Sequence, residues 1–97
     1  MKERIIGEKY CLVRLLGEGG ASEVYLARDL RLQKWWAVKK MKNREGGRVM
    51  LLREAELLSR LEHPALPRVV DWIEEGEEIC LVMDFVEGRS LEQFLKE

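Results

Sequence analysis

The sequence has little of what builds metal centres or covalent cross-links. Its 97 residues hold one histidine, His63, and two cysteines, Cys11 and Cys80. The cysteines are far apart and in no metal-like spacing, and no histidine or acidic cluster completes a ligand set, so neither a metal site nor a disulfide is expected. Both cysteines read as small buried hydrophobes in a reducing compartment. Charge of one sign is missing as well. The 17 lysines and arginines against 18 aspartates and glutamates give a net charge of -1, without the basic stripe that attracts nucleic acid. No apolar run approaches the roughly 20 residues that cross a bilayer. The charged stretch from Met1 to Tyr10 lacks an apolar core of signal-peptide length. The chain is therefore expected to be cytoplasmic, or the cytoplasmic part of a membrane-anchored parent. There are no repeats and no low-complexity tract. A hydrophobic fraction of 46% suits one small domain over residues 1–97, with a modest core and no linker.

What is present alternates cleanly between strand-like and turn-like composition. Tyr10 to Leu16 is apolar and suits a pleated surface, and it ends at the glycine cluster Gly17, Gly19 and Gly20. Glu23 to Asp29 follows with a period of two, Val24, Leu26 and Arg28 on one side and Tyr25 and Ala27 on the other. The two runs predict a hairpin with glycines at its tip. A short polar stretch, Asp29 to Lys34, leads to a third strand from Trp35 to Met41. Asn43 to Gly47 reads as a flexible connection, and from about Arg48 to Leu61 the period becomes helical, with Leu51, Ala55, Leu58 and Leu61 on one stripe. Glu54 lies three residues after Leu51 and four before Leu58, on or beside that inward stripe. An unpaired carboxylate there would be costly, so the pattern demands a cation from the adjacent sheet. His63, Pro64 and Pro67 stop the helix and stiffen a connector, and His63 reads as part of that connector rather than as a ligand. Arg68 to Glu74 and Glu78 to Phe85 predict two more strands joined at Glu75, Gly76 and Glu77. Ser90 with Gln93 resembles a capping box opening a last helix. The expected fold is α+β, a five-stranded antiparallel sheet with one main helix and the start of a second.

The spacing Gly17, Gly19, Ser22 alone decides nothing, because glycine-rich hairpin tips also occur for structural reasons. Two phosphate motifs are excluded. A dinucleotide fingerprint needs its glycines before a helix, and here a strand follows; a Walker loop needs a lysine and a hydroxyl directly after its last glycine. A glycine flap remains, whose bare backbone amides can approach phosphate oxygens.

Taken together, the flap from Gly17 through Glu18, Gly19, Gly20, Ala21, Ser22 and Glu23 to Val24, the run Ala37, Val38, Lys39 and the inward Glu54 resemble the amino-terminal lobe of the protein kinase family. The His63, Pro64 connector and the run from Leu81 to Gly88 fit the same pattern, over Tyr10 to Glu97. The wording Gly19 to Ala27 resembles bacterial serine/threonine kinases most. The resemblance implies a core lobe over about 10–87, a hinge over 84–88 and the first helix of the other lobe from 90 to 97. It implies that Lys39 holds the α- and β-phosphates of ATP and is held by Glu54. Leu16, Val24 and Ala37 would form the ceiling over adenine, a role their ordinary strand packing would mimic. Met83 would be the gatekeeper, with the backbone of Asp84 and Val86 facing the adenine edge. Leu58 and Val69 would stack in the regulatory spine, for which plain core packing is an equal description.

Ser22 stands where the family's third flap glycine is expected. No segment up to Glu97 supplies the catalytic loop, the metal-binding asparagine or the Asp-Phe-Gly segment, so magnesium ligands are expected only in the other lobe and this piece alone is expected to be inactive. The parent is expected to move the γ-phosphate of ATP to Ser or Thr of a protein. The alternative is a kinase-like nucleotide-sensing or dimerisation module without phosphotransfer. Separation from the other lobe is expected to expose Met83, Phe85, Leu91, Phe94 and Leu95 and to promote self-association.

Overall fold

The structure, a computed structural model, describes residues 4–20, 22–42, 45–60 and 67–85. The strands are β1 (Arg4–Ile6), β2 (Tyr10–Gly19), β3 (Ser22–Asp29), β4 (Trp35–Lys42), β5 (Val69–Glu75) and β6 (Glu78–Asp84), and the helix is α1 (Glu45–Arg60). They form one antiparallel sheet in the order β1-β2-β3-β4-β6-β5. After β4 the chain passes through α1, emerges at the far edge as β5 and turns back so that β6 fills the place beside β4.

Six strands replace the expected five. The extra strand, β1, is three residues long, too short to carry a period. What holds it is tertiary: Ile6 is buried, and just past it the Gly7 amide donates to Glu75 Oε2 at 3.0 Å. The helix also begins earlier than expected, at Glu45, so Gly46 and Gly47 stand in its first turn rather than in a flexible connection. The expected connector with His63 and Pro64, the part of the expected hinge beyond Phe85 and the helix expected from Ser90 lie outside the described residues.

Period-two alternation fills both faces of the sheet. One face carries Ile6, Tyr10, Leu12, Ala27, Trp36, Val38, Cys80 and Val82. The other carries Val24, Ala37, Met41, Ile79, Leu81 and Met83, against Leu51 of α1 with Ala55 and Leu58 at its margin. Strand β6 is thus buried from Ile79 to Met83 without a break, as an apolar run inside two layers requires. The sheet curls around its first face until its edges meet. Tyr10 Oη donates to Asp71 Oδ2 at 2.9 Å, and Ile73 packs so close to Gly7 that a Cβ there would stand 2.6 Å from Ile73 Cδ1.

Strand β2 changes face as it runs. Its register against β3 slips between Leu12 and Arg14 and again between Leu15 and Gly17, two bulges that each re-aim the following side chains. An unbroken strand with Leu12 on the first face would keep Leu16 there. The bulges let Leu16 join the cluster beneath α1 instead.

The polar stretch after β3 is not simply solvated. Asp29 is 1% exposed and accepts from the Trp36 indole at 3.0 Å and from the amides of Arg31 at 2.8 Å and Leu32 at 3.1 Å. Burial alone would raise its pKa; those bonds and the Arg31 guanidinium outweigh it and hold the carboxyl well below the usual range. Among the described residues no helix is long and apolar enough to cross a membrane.

Candidate functional site

Lys39 stands in the middle of the sheet. In register it faces Val24 of β3 on one side and Leu81 of β6 on the other, and alternation sends its side chain to the face that α1 covers. Glu54 comes down from α1 to meet it, on the stripe defined by Leu51 and Leu58. Lys39 Nζ donates to Glu54 Oε1 and Oε2, both at 2.7 Å. The lysine is 6% exposed, so an unanswered charge would be strongly disfavoured. The two short, charge-assisted bonds answer it and fix the ammonium in place.

The flap reaches the same row of residues. Gly17 pairs with Val24, and Val24 with Lys39, so a bare stretch of β2 backbone lies two strands, roughly 10 Å, from the lysine. At the tip Gly19 pairs with Ser22, Gly20 takes a positive φ of 57°, and Ser22 Oγ donates to the Gly19 carbonyl at 3.2 Å. The turn conformation requires a glycine at Gly20. It does not require one at Gly19, where φ is ordinary and a Cβ would meet nothing within 4 Å.

The expected adenine ceiling converges here as well. Leu16, Val24, Ala37 and Met83 belong to one apolar cluster, with Ala37 and Met83 opposite each other in β4 and β6. Leu58 and Val69 pack against that cluster too. Met83 is 0% exposed and Phe85 half-buried, which corrects the expectation that Met83 would form part of an exposed apolar surface; the packing of β4, β6 and α1 already covers it. Leu91, Phe94 and Leu95 lie outside the described residues. The amide of Asp84 donates to the Arg68 carbonyl at 3.0 Å, and its carboxylate accepts from the Arg68 amide and Nε at 3.0 and 3.1 Å. Ala21 and Val86 lie outside the described residues, as does any geometry of the hinge beyond Phe85. Among the described residues no group of three His, Cys, Asp or Glu side chains is spaced to hold a metal.

The profile of the protein kinase domain matches residues 10–97. The chain belongs to the protein kinase family. It is similar to the serine/threonine-protein kinase pkn2 of Myxococcus xanthus, 42% identical over 91 residues that make up 90% of this chain and 11% of that protein. It is also similar to the serine/threonine-protein kinase PknD of Chlamydia trachomatis, 37% identical over 93 residues, 92% of this chain and 10% of that protein. The chain thus spans about a tenth of the length of the curated relatives it matches. The crystal structure of a kinase domain overlays on 84% of this chain and 25% of its own length with a TM-score of 0.75 and 17% identity, a likeness of fold.

Beside this candidate site, sequence reasoning missed a second charged cluster. Lys40 points to the opposite face from Lys39, where its Nζ lies 3.2 Å from Glu23 and 3.0 Å from Glu78 and 5.2 Å from the Tyr25 ring centroid. Arg4 of β1 pairs with the same Glu78. Burial works against the Lys40 charge, but its bonds to Glu78 and Glu23 prevail and raise its pKa. The Arg4 bond, joined by Lys40, lowers that of Glu78. A hollow of about 550 Å³ at the flap tip is lined by Lys40, Glu23 and Glu78 and does not include Lys39 or Glu54. The signal was available in the sequence, since period two sends consecutive lysines to opposite faces. Cys80, buried on that face, has its thiol pushed up to about 11 by burial and is therefore a poor nucleophile.

Proposed function

We propose that this chain is the ATP-binding lobe of a serine/threonine protein kinase. The observation that carries the proposal is the Lys39 ammonium held by both oxygens of Glu54, each at 2.7 Å, in register with the glycine backbone of the flap. A cation fixed in a dry site stabilises phosphate charge without reorganising, and so Lys39 would hold the α- and β-phosphates. Gly17, Glu18, Gly19, Gly20, Ala21 and Ser22 would cover the phosphates with backbone, and the fold's indifference to a side chain at Gly19 supports that use. Leu16, Val24 and Ala37, which share one apolar cluster, would form the ceiling over the adenine ring. Met83 would guard the rear of the pocket, and the backbone of Asp84 and Val86 would meet the adenine edge. When bound, ATP supplies the γ-phosphoryl group, which a Ser or Thr hydroxyl of a protein accepts as the bond to ADP breaks and the hydroxyl proton leaves to a base. Base and magnesium ligands are assigned to the other lobe of the kinase.

The test is phosphoryl transfer by the full-length protein with γ-labelled ATP. Wild type is expected to label a protein Ser or Thr, and Lys39→Ala to lower the rate by about 100-fold or more with the fold intact, the scale on which losing one charge-stabilising group acts. Transfer that is unchanged by Lys39→Ala would sink the assignment of Lys39. Nucleotide binding with no transfer by the wild type would favour a nucleotide-sensing module instead.

A further inference from the structure

We propose that Gly47 sets the depth at which α1 seats on the sheet and, through it, the approach of Glu54 to Lys39. The inference rests on reading that pair as the one that holds phosphate. Two glycines stand side by side in the first turn of α1, and both weaken a helix relative to alanine. They differ in surroundings. A Cβ on Gly46 would meet nothing within 4 Å, whereas a Cβ on Gly47 would stand 2.9 Å from the Lys42 carbonyl oxygen and 3.6 Å from Met41 Cε. The first of these contacts is with main chain at the end of β4, and main chain cannot swing aside as a side-chain tip can. Any residue other than glycine forces the helix and the strand apart by several tenths of an ångström.

That displacement has a direct route to the site. Gly47, Leu51, Glu54 and Leu58 follow one another at helical spacing on the inward stripe. Glu54 is two turns, about 10.5 Å, along the axis from Gly47, and Lys39 is three residues back from Lys42 on the same strand. The helix therefore comes close to β4 at Gly47, where an added Cβ would meet main chain, and meets the strand again through the ion pair. The pair stands at 2.7 Å on both oxygens, so a helix lifted at its first turn lengthens that contact and loosens the hold on the ammonium. Gly47 is in this sense a positioning residue that acts through Glu54.

The experiment compares Gly46→Ala with Gly47→Ala in the full-length protein, reading amide hydrogen exchange along α1 together with kcat and KM for ATP. Gly46→Ala is expected to slow opening of α1 about fivefold, the gain in helix propensity, and to leave kcat within about twofold. Gly47→Ala is expected to give no such slowing and to lower kcat about tenfold with a smaller change in KM. In a Glu54→Ala background Gly47→Ala is expected to cost nothing further, since coupled residues are not additive. If Gly47→Ala alone does not fold, the Gly46→Ala/Gly47→Ala pair replaces it. Equal slowing of exchange by the two alanines, or an equal kcat loss with and without Glu54, overturns the proposal. If the wild type transfers no phosphate, the exchange comparison still decides the close approach at Gly47, and only the function proposed above falls.

Discussion

Tyr10 and Asp71 join the two ends of the sheet: the phenol of the first long strand donates to the carboxylate of the last edge strand at 2.9 Å, across 61 residues of sequence. Burial first, then this bond, pushes the Tyr10 pKa up to about 12. Because the folded value lies above the ordinary 10.0, the contribution is fully present below about pH 10 and is lost as pH rises toward 12. Tyr10→Phe is expected to cost about 1–2 kcal/mol near neutrality. It should also abolish the steep loss of stability between those two pH values. Urea unfolding across that range checks both.

Asp29 makes the opposite case. Its folded pKa is depressed, so its contribution is present above about pH 3.8 and is lost as pH falls below it. Asp29→Ala leaves the Trp36 indole and two amides without their acceptor, a loss of about 2–4 kcal/mol at neutral pH. The acid limb of the stability curve should flatten in the same variant. A curve that keeps its shape would contradict the role given to this carboxylate.

Gly7 and Gly76 share a left-handed backbone, with φ of 56° and 58°, and differ in neighbours. Alanine at Gly76 meets open space, so it is expected to cost about 1 kcal/mol for conformation alone. Alanine at Gly7 must also move Ile73 and is expected to cost roughly 1 kcal/mol more. Melting temperatures of the two variants give the comparison, and Ile73→Val should narrow the gap.

Adjacent lysines separate stability from chemistry. Lys40→Met removes the cation between Glu23 and Glu78 and is expected to destabilise by about 1 kcal/mol at low salt, allowing for their part exposure, and by less at 1 M salt. Phosphoryl transfer should stay within about fivefold of the wild type, whereas Lys39→Met should abolish it. Equal loss of activity in both variants would show that the two faces are not independent.

Much of this architecture was legible before any coordinates. The period-two runs that became β2 to β6, the turn glycines and the switch to a helical stripe carried the sheet and the helix, because burial on one face or two leaves a pattern in the sequence. That Glu54 needs a cation from the adjacent sheet was legible for a reason of cost, since an inward carboxylate requires one; that Lys39 supplies it came from the resemblance to the kinase lobe. What could not be read depends on residues far apart in sequence. β1 is held by the burial of Ile6 and by the meeting of the adjoining Gly7 with Glu75 and Ile73, not by its own composition. Asp29 looked like loop polarity until Trp36 was seen to fold back on it. Gly46 and Gly47 looked alike, and only the Lys42 carbonyl tells them apart.

The two bulges of β2 imply a constraint on length rather than on residue identity. Each consumes one residue to turn the strand over, so the flap depends on counting correctly from Leu12 to Gly17. Many side chains can be exchanged along that stretch. Removing or adding a single residue would instead rotate the rest of the hairpin half a turn about its own axis, carrying Leu16 away from the helix side and Gly17 out of line with Lys39. In this segment a deletion should be far more harmful than any substitution.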